Sequence, residues 1–182
     1  MIYEFCAENV TLLEKAMQAG ARRIELCDNL AVGGTTPSYG VTKVAVELAT
    51  NYDTTIMTMI RPRGGDFVYN DMEIAIMLED IRLTAQAGSQ GVVFGVLTVE
   101  KKLDKANLEK LIAASKGMEI VFHMAFDELS EEDQLEAIDW LSQAGVTRIL
   151  TRAGVSGDSL EKRFAHYHRI LEHAKGKIEI LP

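Results

Sequence analysis

Two glutamate–cysteine pairs carry the most suggestive chemistry in this 182-residue chain: Glu4 with Cys6, and Glu25 with Cys27. Each pair has i, i+2 spacing inside a short apolar run, which in a strand puts both side chains on one face. The bulky neighbours Tyr3, Phe5, Ile24 and Leu26 take the other face. Adjacent strands lie about 4.8 Å apart, and the two thiols hold the same place in their segments, so Cys6 and Cys27 can approach each other. Two soft thiolates suit Cu(I) or Zn(II). The plainer alternative makes both cysteines small buried hydrophobes, although inward glutamates beside them are costly without partners. Met57 and Met59 share one face of a later segment, as extra soft ligands or as core filling.

Anion chemistry is the second theme. Arg61 and Arg63 stand in Ile60-Arg61-Pro62-Arg63-Gly64-Gly65-Asp66, at the end of an apolar segment. Guanidinium forks there can hold a carboxylate or phosphate bidentately; alternatively, Arg61 neutralises Glu4 or Glu25. The loop 33–38 (Gly-Gly-Thr-Thr-Pro-Ser) runs toward a helix N-terminus, a generic anion site. His123, in Phe122-His123-Met124-Ala125-Phe126-Asp127, offers a general base, a proton donor or a metal ligand near carboxylates, or is a satisfied core histidine. His166 and His168, at i, i+2 on a helical stretch, do not face each other and read as surface.

These residues need a scaffold, and a repeated phrase gives it away. Gln-Ala-Gly followed by three residues and a short apolar run begins at Gln18, Gln86 and Gln143. A glycine just past a helix takes the left-handed cap conformation before a loop feeds a strand. Strands are expected at residues 2–6, 23–27, 54–60, 91–96, 118–122, 148–151 and 177–181. Among the helices between them, one opens at Pro37 with Thr36 as its cap. Another opens on Asn70 with Glu73 reaching back, with Ile74, Met77, Leu78 and Ile81 on one face. A third opens on Ser130 and Asp133, with Leu135, Ile138 and Leu141 inward. The last carries an apolar stripe of Leu160, Phe164, Tyr167, Leu171 and Ala174. The alternation predicts an α/β protein, either a doubly wound sheet or a barrel. No Gly-x-Gly-x-x-Gly follows the first strand, and polar residues recur at strand ends, which favours a TIM (β/α)8-type barrel. Its last strand–helix unit would be missing after Pro182. Glu4, Glu25, Arg61 and His123 should then gather at the strands' C-terminal ends.

Composition narrows the classes. Hydrophobic residues make up 47% and charged residues 25%, as in an ordinary globular domain, and nothing resembles a linker, so residues 1–182 read as one domain, C-terminally incomplete as a barrel. Net charge is −8 with no basic arm, which argues against nucleic acid and acidic membrane surfaces. No apolar run reaches membrane-span length, and no secretory leader is recognisable. Two cysteines fit a reducing cytosol.

At these residues the chain resembles the CutC family of copper homeostasis proteins. The likeness covers essentially the whole chain and rests on residues 4–6, 21–27, 33–40, 59–67 and 92–98, and on Phe122-His123 with Ala125-Phe126-Asp127. Met124 stands where the family usually has arginine, Arg152-Ala153 where Ser-Gly is usual, and the family continues past this point into a glycine-rich loop, a strand and a helix. The resemblance implies a cytoplasmic TIM barrel, a homo-oligomer of two or more copies, handling copper, with Cu(I) at Cys6 and Cys27. The alternative is an enzyme acting on a small anionic substrate, with Arg61 and Arg63 holding the anion and Glu25, His123 and Asp127 moving protons. Because a seven-stranded barrel exposes strand edges, the polypeptide is expected to continue beyond Pro182 or to be covered by a neighbouring chain.

Overall fold

The computed structural model describes residues 2–154 and 157–182. Strands and helices alternate as β1 (Glu4–Glu8), α1 (Leu13–Gln18), β2 (Arg23–Cys27), α2 (Tyr39–Ala49), β3 (Thr55–Met59), α3 (Asp71–Ala87), β4 (Gly91–Phe94), α4 (Lys105–Ala114), β5 (Glu119–Phe122), α5 (Glu131–Ala144), β6 (Arg148–Leu150), α6 (Leu160–Ala174) and β7 (Glu179–Leu181). Every pairing is parallel and joins sequence neighbours, in the order β1-β2-β3-β4-β5-β6-β7. A doubly wound sheet reverses its order at a switch point; this one never does. It curls into a (β/α) barrel that lacks closure, and among the described residues β1 and β7 do not pair with each other.

The period-2 alternation of the strands sorts side chains between two cores. Outward residues such as Ile24, Ile56, Val92, Phe94, Ile120 and Phe122 are buried beneath the helices, each large side chain contributing about 1.5–3 kcal/mol by leaving water. Inward residues Cys27, Met57, Met59, Val93 and Val121 form a separate small cluster inside the barrel. It is a filled interior, not a pore.

Local signals set most element ends. Gly20, Gly88 and Gly145, the glycines of the repeated phrase, all have φ near +90 to +100° (103, 88 and 93°). Asn70 and Glu73 form the full reciprocal cap of α3, and the Ser130 hydroxyl accepts from Asp133 N–H at the start of α5. Three expectations change. β1 runs two residues later than the apolar run suggested: its pairing with β2 extends from Glu4 to Glu8, and Ile2 and Tyr3 stay 57% and 66% exposed. The cap of α2 is Ser38, whose hydroxyl accepts from Val41 N–H; Thr36 is instead taken up by β3's end, its hydroxyl accepting from Arg61 N–H. On α6 the stripe is only partly used: Ala174 is buried and Tyr167 and Leu171 are half-buried, while Leu160 and Phe164 are exposed near Pro182 at the end of β7. The most deeply buried residue of the helix, Ile170, lies outside the expected stripe.

Candidate functional site

The register of β1 on β2 sets the geometry of the thiols. Cys6 lies opposite Glu25, and Cys27 lies opposite Glu8, so the two cysteines are diagonal neighbours rather than directly opposed. Their side chains nevertheless converge: Cys6 Sγ, a Glu25 carboxylate oxygen and Cys27 Sγ all lie within 4.8 Å of one another. Cys6 is exposed, because β1 borders the opening, whereas Cys27 is buried. Glu25 is buried like Cys27, and its register partner on β3 is Met57. Burial, and then the charge of Glu4, push its carboxyl up to about 7, while a hydrogen bond from the Cys6 thiol pulls the other way. The Cys27 thiol is pushed well up by its hydrogen bond with Cys6 and by burial. Cys27 therefore rests as a thiol beside a carboxyl group that titrates near neutral pH.

Glu4 does not join this group. It is the first residue of β1, so its inward side chain sits at the strands' N-terminal ends, ion-paired to Arg23 across the register at 3.2 Å. Arg148, paired with Glu119 and lying 3.6 Å from Glu179, completes a charged floor. Sequence reading passed over Arg23 and Arg148, although each opens a strand and lies on its inward face two residues before Glu25 and Leu150, respectively.

At the other end the strands surround a cavity of about 480 Å3 that Cys6, Glu25, Cys27, Met59, Arg61 and His123 all line. A larger hollow of about 570 Å3 beside it, over Asp66, Val68 and Val99, carries none of these groups. Arg61, 4% exposed, donates through Nη1 to the carbonyls of Val32 and Gly34 and through Nη2 to that of Gly65. It clasps the loops after β2 and β3, lies over the Phe67 ring at 4.9 Å, and makes no ion pair with Glu4 or Glu25. Arg63 lies outside the cavity, bound to Glu73, Asp66 and the Val68 carbonyl; it fastens the loop to the start of α3. The loop 33–38 presents the Gly34 carbonyl to Arg61, and its Gly33, Gly34, Thr35 and Thr36 N–H groups are spent on backbone carbonyls rather than offered to an anion.

His123 follows β5. Its Nδ1 accepts from Ala125 N–H, which leaves the ring hydrogen on Nε2, and that nitrogen is buried without a partner among the described residues. Burial, and then the charge of Arg61, hold its pKa down to about 3, so the ring is neutral. Phe67 packs against it with centroids 4.8 Å apart. Gly95 makes room for it: a Cβ there would come within 2.7 Å of the ring. Asp127 is spent elsewhere, its carboxylate accepting from the Thr151 hydroxyl and from Arg152 N–H. His166, read as surface, bonds Gln134 on α5 instead and is half-buried between the helices.

Residues 1–182 match the CutC family over their whole length. A CutC family protein of Enterococcus faecalis is 51% identical over 182 residues, covering 100% of this chain and 87% of that protein. A human copper homeostasis protein cutC homolog is 40% identical over 181 residues, covering 100% of this chain and 64% of that one. The crystal structure of CutC from Streptococcus agalactiae superposes with a TM-score of 0.94 at 45% identity, over 99% of this chain and 86% of that one. QR15, an aldolase, superposes with a TM-score of 0.67 at 14% identity, covering 99% and 77%, a likeness of fold alone.

Proposed function

The chain belongs to the CutC family, and on that premise we propose that it serves copper homeostasis by carrying one Cu(I) ion between Cys6 and Cys27. The observation that supports this reading is the convergence of the two sulfurs and the Glu25 carboxylate within 4.8 Å. Metal–sulfur bonds of about 2.3 Å allow two sulfurs on one ion to stand up to roughly 4.6 Å apart, so small side-chain rotations suffice. Exposed Cys6 is the point of capture and buried Cys27 the deeper ligand. Thiolates are the soft donors Cu(I) prefers, with the Met59 thioether lining the same cavity. Ligation displaces the thiol protons; Glu25, already accepting from Cys6, is placed to take one. Free thiols of this kind belong in a reducing compartment, hence the cytoplasm.

The test is competition with a Cu(I) chelator under reducing conditions. Cys6→Ser and Cys27→Ser should each lose affinity by roughly 100-fold or more, beyond what outer-sphere partners cost, with melting temperature little changed, and wild-type affinity should fall with pH. Equal affinity in all three proteins returns both cysteines to core filling. A second reading, an enzyme acting on a small anionic substrate, draws on the same cavity: Glu25 at about 7 is suited to proton transfer at neutral pH, with Arg61 to hold the anion and His123 beside it. Arg63 and Asp127, engaged elsewhere, have no part in it. Proton exchange from added carboxylic or keto acids that depends on Glu25 separates the two.

A further inference from the structure

Among the described residues, one wall of the mouth cavity holds hydrogen-bond donors left without acceptors. Arg61 has five N–H donors, of which three reach the carbonyls of Val32, Gly34 and Gly65; Nε is buried with no partner. Among the described residues no carboxylate lies within ion-pair range of it. Most neighbouring acids are committed: Asp66 and Glu73 to Arg63, Glu128 to Lys101, Asp127 to Thr151 and Arg152, while Glu25, which lines the same cavity, stands outside ion-pair range of Arg61. His123 Nε2–H is equally without a partner. Both side chains are 4% exposed, line the same cavity, and pack on Phe67, at 4.9 and 4.8 Å. A buried cation without a counter-charge, beside a buried donor without an acceptor, is costly unless something supplies both.

We propose that Arg61 and His123 form an oxyanion pocket that takes the carboxylate or phosphate group of a small molecule, next to the thiol corner and distinct from it. Arg61 supplies charge and its remaining N–H donors. His123 supplies one fixed neutral donor, held by the bond from Ala125 N–H and by Phe67. Neutrality suits the role, because the ring donates without itself needing a counter-ion. A cavity of about 480 Å3 fits a small metabolite. The chain's −8 net charge disfavours diffuse anion uptake, so affinity here is local. The pocket underlies the enzyme reading but does not depend on it, since turnover requires binding and binding does not require turnover; it is also independent of copper.

The experiment uses the copper-free full chain with both thiols intact, and two probes, pyruvate and inorganic phosphate, at millimolar concentrations. Calorimetry gives affinity, and nitrogen-detected NMR of labelled histidine follows the His123 ring. Binding should move the Nε2–H signal, leave Nδ1 nearly still, and weaken roughly tenfold or more in Arg61→Gln. Arg61→Lys, which keeps the charge but loses the fork, should fall between. Response to pyruvate alone assigns a carboxylate ligand, to phosphate alone a phosphate ligand, and to both a general oxyanion site. No movement of His123 with either probe overturns the proposal even if every variant misfolds, and so does binding that survives unchanged in folded Arg61→Gln. A protein that binds neither anion but still binds Cu(I) separates this failure from failure of the copper reading.

Discussion

Glu25 enters the fold with a carboxyl group that is buried, faces Glu4's charge, and is consequently held at about 7 against an ordinary 4.5. The folded protein thus binds this proton more tightly than the unfolded chain. Its contribution to stability is complete below about pH 4.5, falls as pH rises toward 7, and is flat beyond. Glu25→Gln should therefore be more stable than wild type above pH 7, by roughly 3 kcal/mol for a shift of this size, as measured by urea unfolding across pH. His123 works in the opposite sense. Held at about 3 against 6.5, it contributes stability above pH 6.5 that is lost as pH falls toward 3, so in Glu25→Gln the stability maximum should move to higher pH. An unchanged profile would mean that Glu25 is solvated. Sequence reading named both residues because alternation puts them on the inward face. It set Cys6 level with Cys27 because both close their apolar runs, whereas the register of parallel strands follows from how neighbours stagger around a barrel, which no local pattern encodes. The commitment of Asp127 to Thr151 is equally non-local, spanning 24 residues.

At the scale of elements, what was legible is what is decided within a turn or two of chain. The Asn70–Glu73 cap, the Ser130 cap and the three glycine stops are local hydrogen bonding and local dihedral preference, and the sequence carries them openly. The α2 cap was displaced from Thr36 to Ser38 because a partner 25 residues away, Arg61, claimed the Thr36 hydroxyl. The α6 stripe has helical spacing, but spacing alone does not say whether a core lies beneath it. The β4 exit shows how closely elements must meet to build the site. With Gly95 against the His123 ring at 2.7 Å, Gly95→Ala forces the ring off Phe67. Overpacking of this kind costs about 1–3 kcal/mol. Thermal unfolding should show that loss, together with a shifted His123 ring signal; a melting temperature and signal matching wild type would mean that the contact is looser than described.

The molecule as a whole is a barrel with a seam. Parallel order and βα alternation were readable from the repeated helix–glycine–strand phrase and the apolar runs, and so was the count of seven strands. The consequences for the surface were not, because they depend on what lies across the gap. Among the described residues β1 and β7 each leave one side unpaired, and apolar side chains flank the seam on both sides: Tyr3 and Leu12 by β1, Leu160 and Phe164 by β7. Open edges beside apolar surface favour association. The 182-residue polypeptide should therefore self-associate, with light scattering giving a mass of at least two copies that rises with concentration, and Phe164→Glu shifting it toward monomer. A monodisperse monomer across the same range would show that the seam is tolerated as it stands.

The diagonal offset of Cys6 and Cys27 decides how the corner meets an oxidant. Two residues of stagger, about 6.6 Å, across a strand spacing of about 4.8 Å put the two Cα atoms roughly 8 Å apart, beyond the span of about 7 Å that an S–S bond can close without moving the backbone. The sulfurs are near enough to share an ion and their backbones too far apart to share a covalent bond. Peroxide should consequently modify exposed Cys6 alone, as a sulfenic acid or a mixed disulfide with added glutathione, and leave Cys27 as a titratable thiol. Mass spectrometry under non-reducing conditions would read this directly, and an intramolecular Cys6–Cys27 crosslink as the main product would contradict it. Such a site is disarmed one thiol at a time and restored by ordinary reductant, without passing through a locked, ring-closed form.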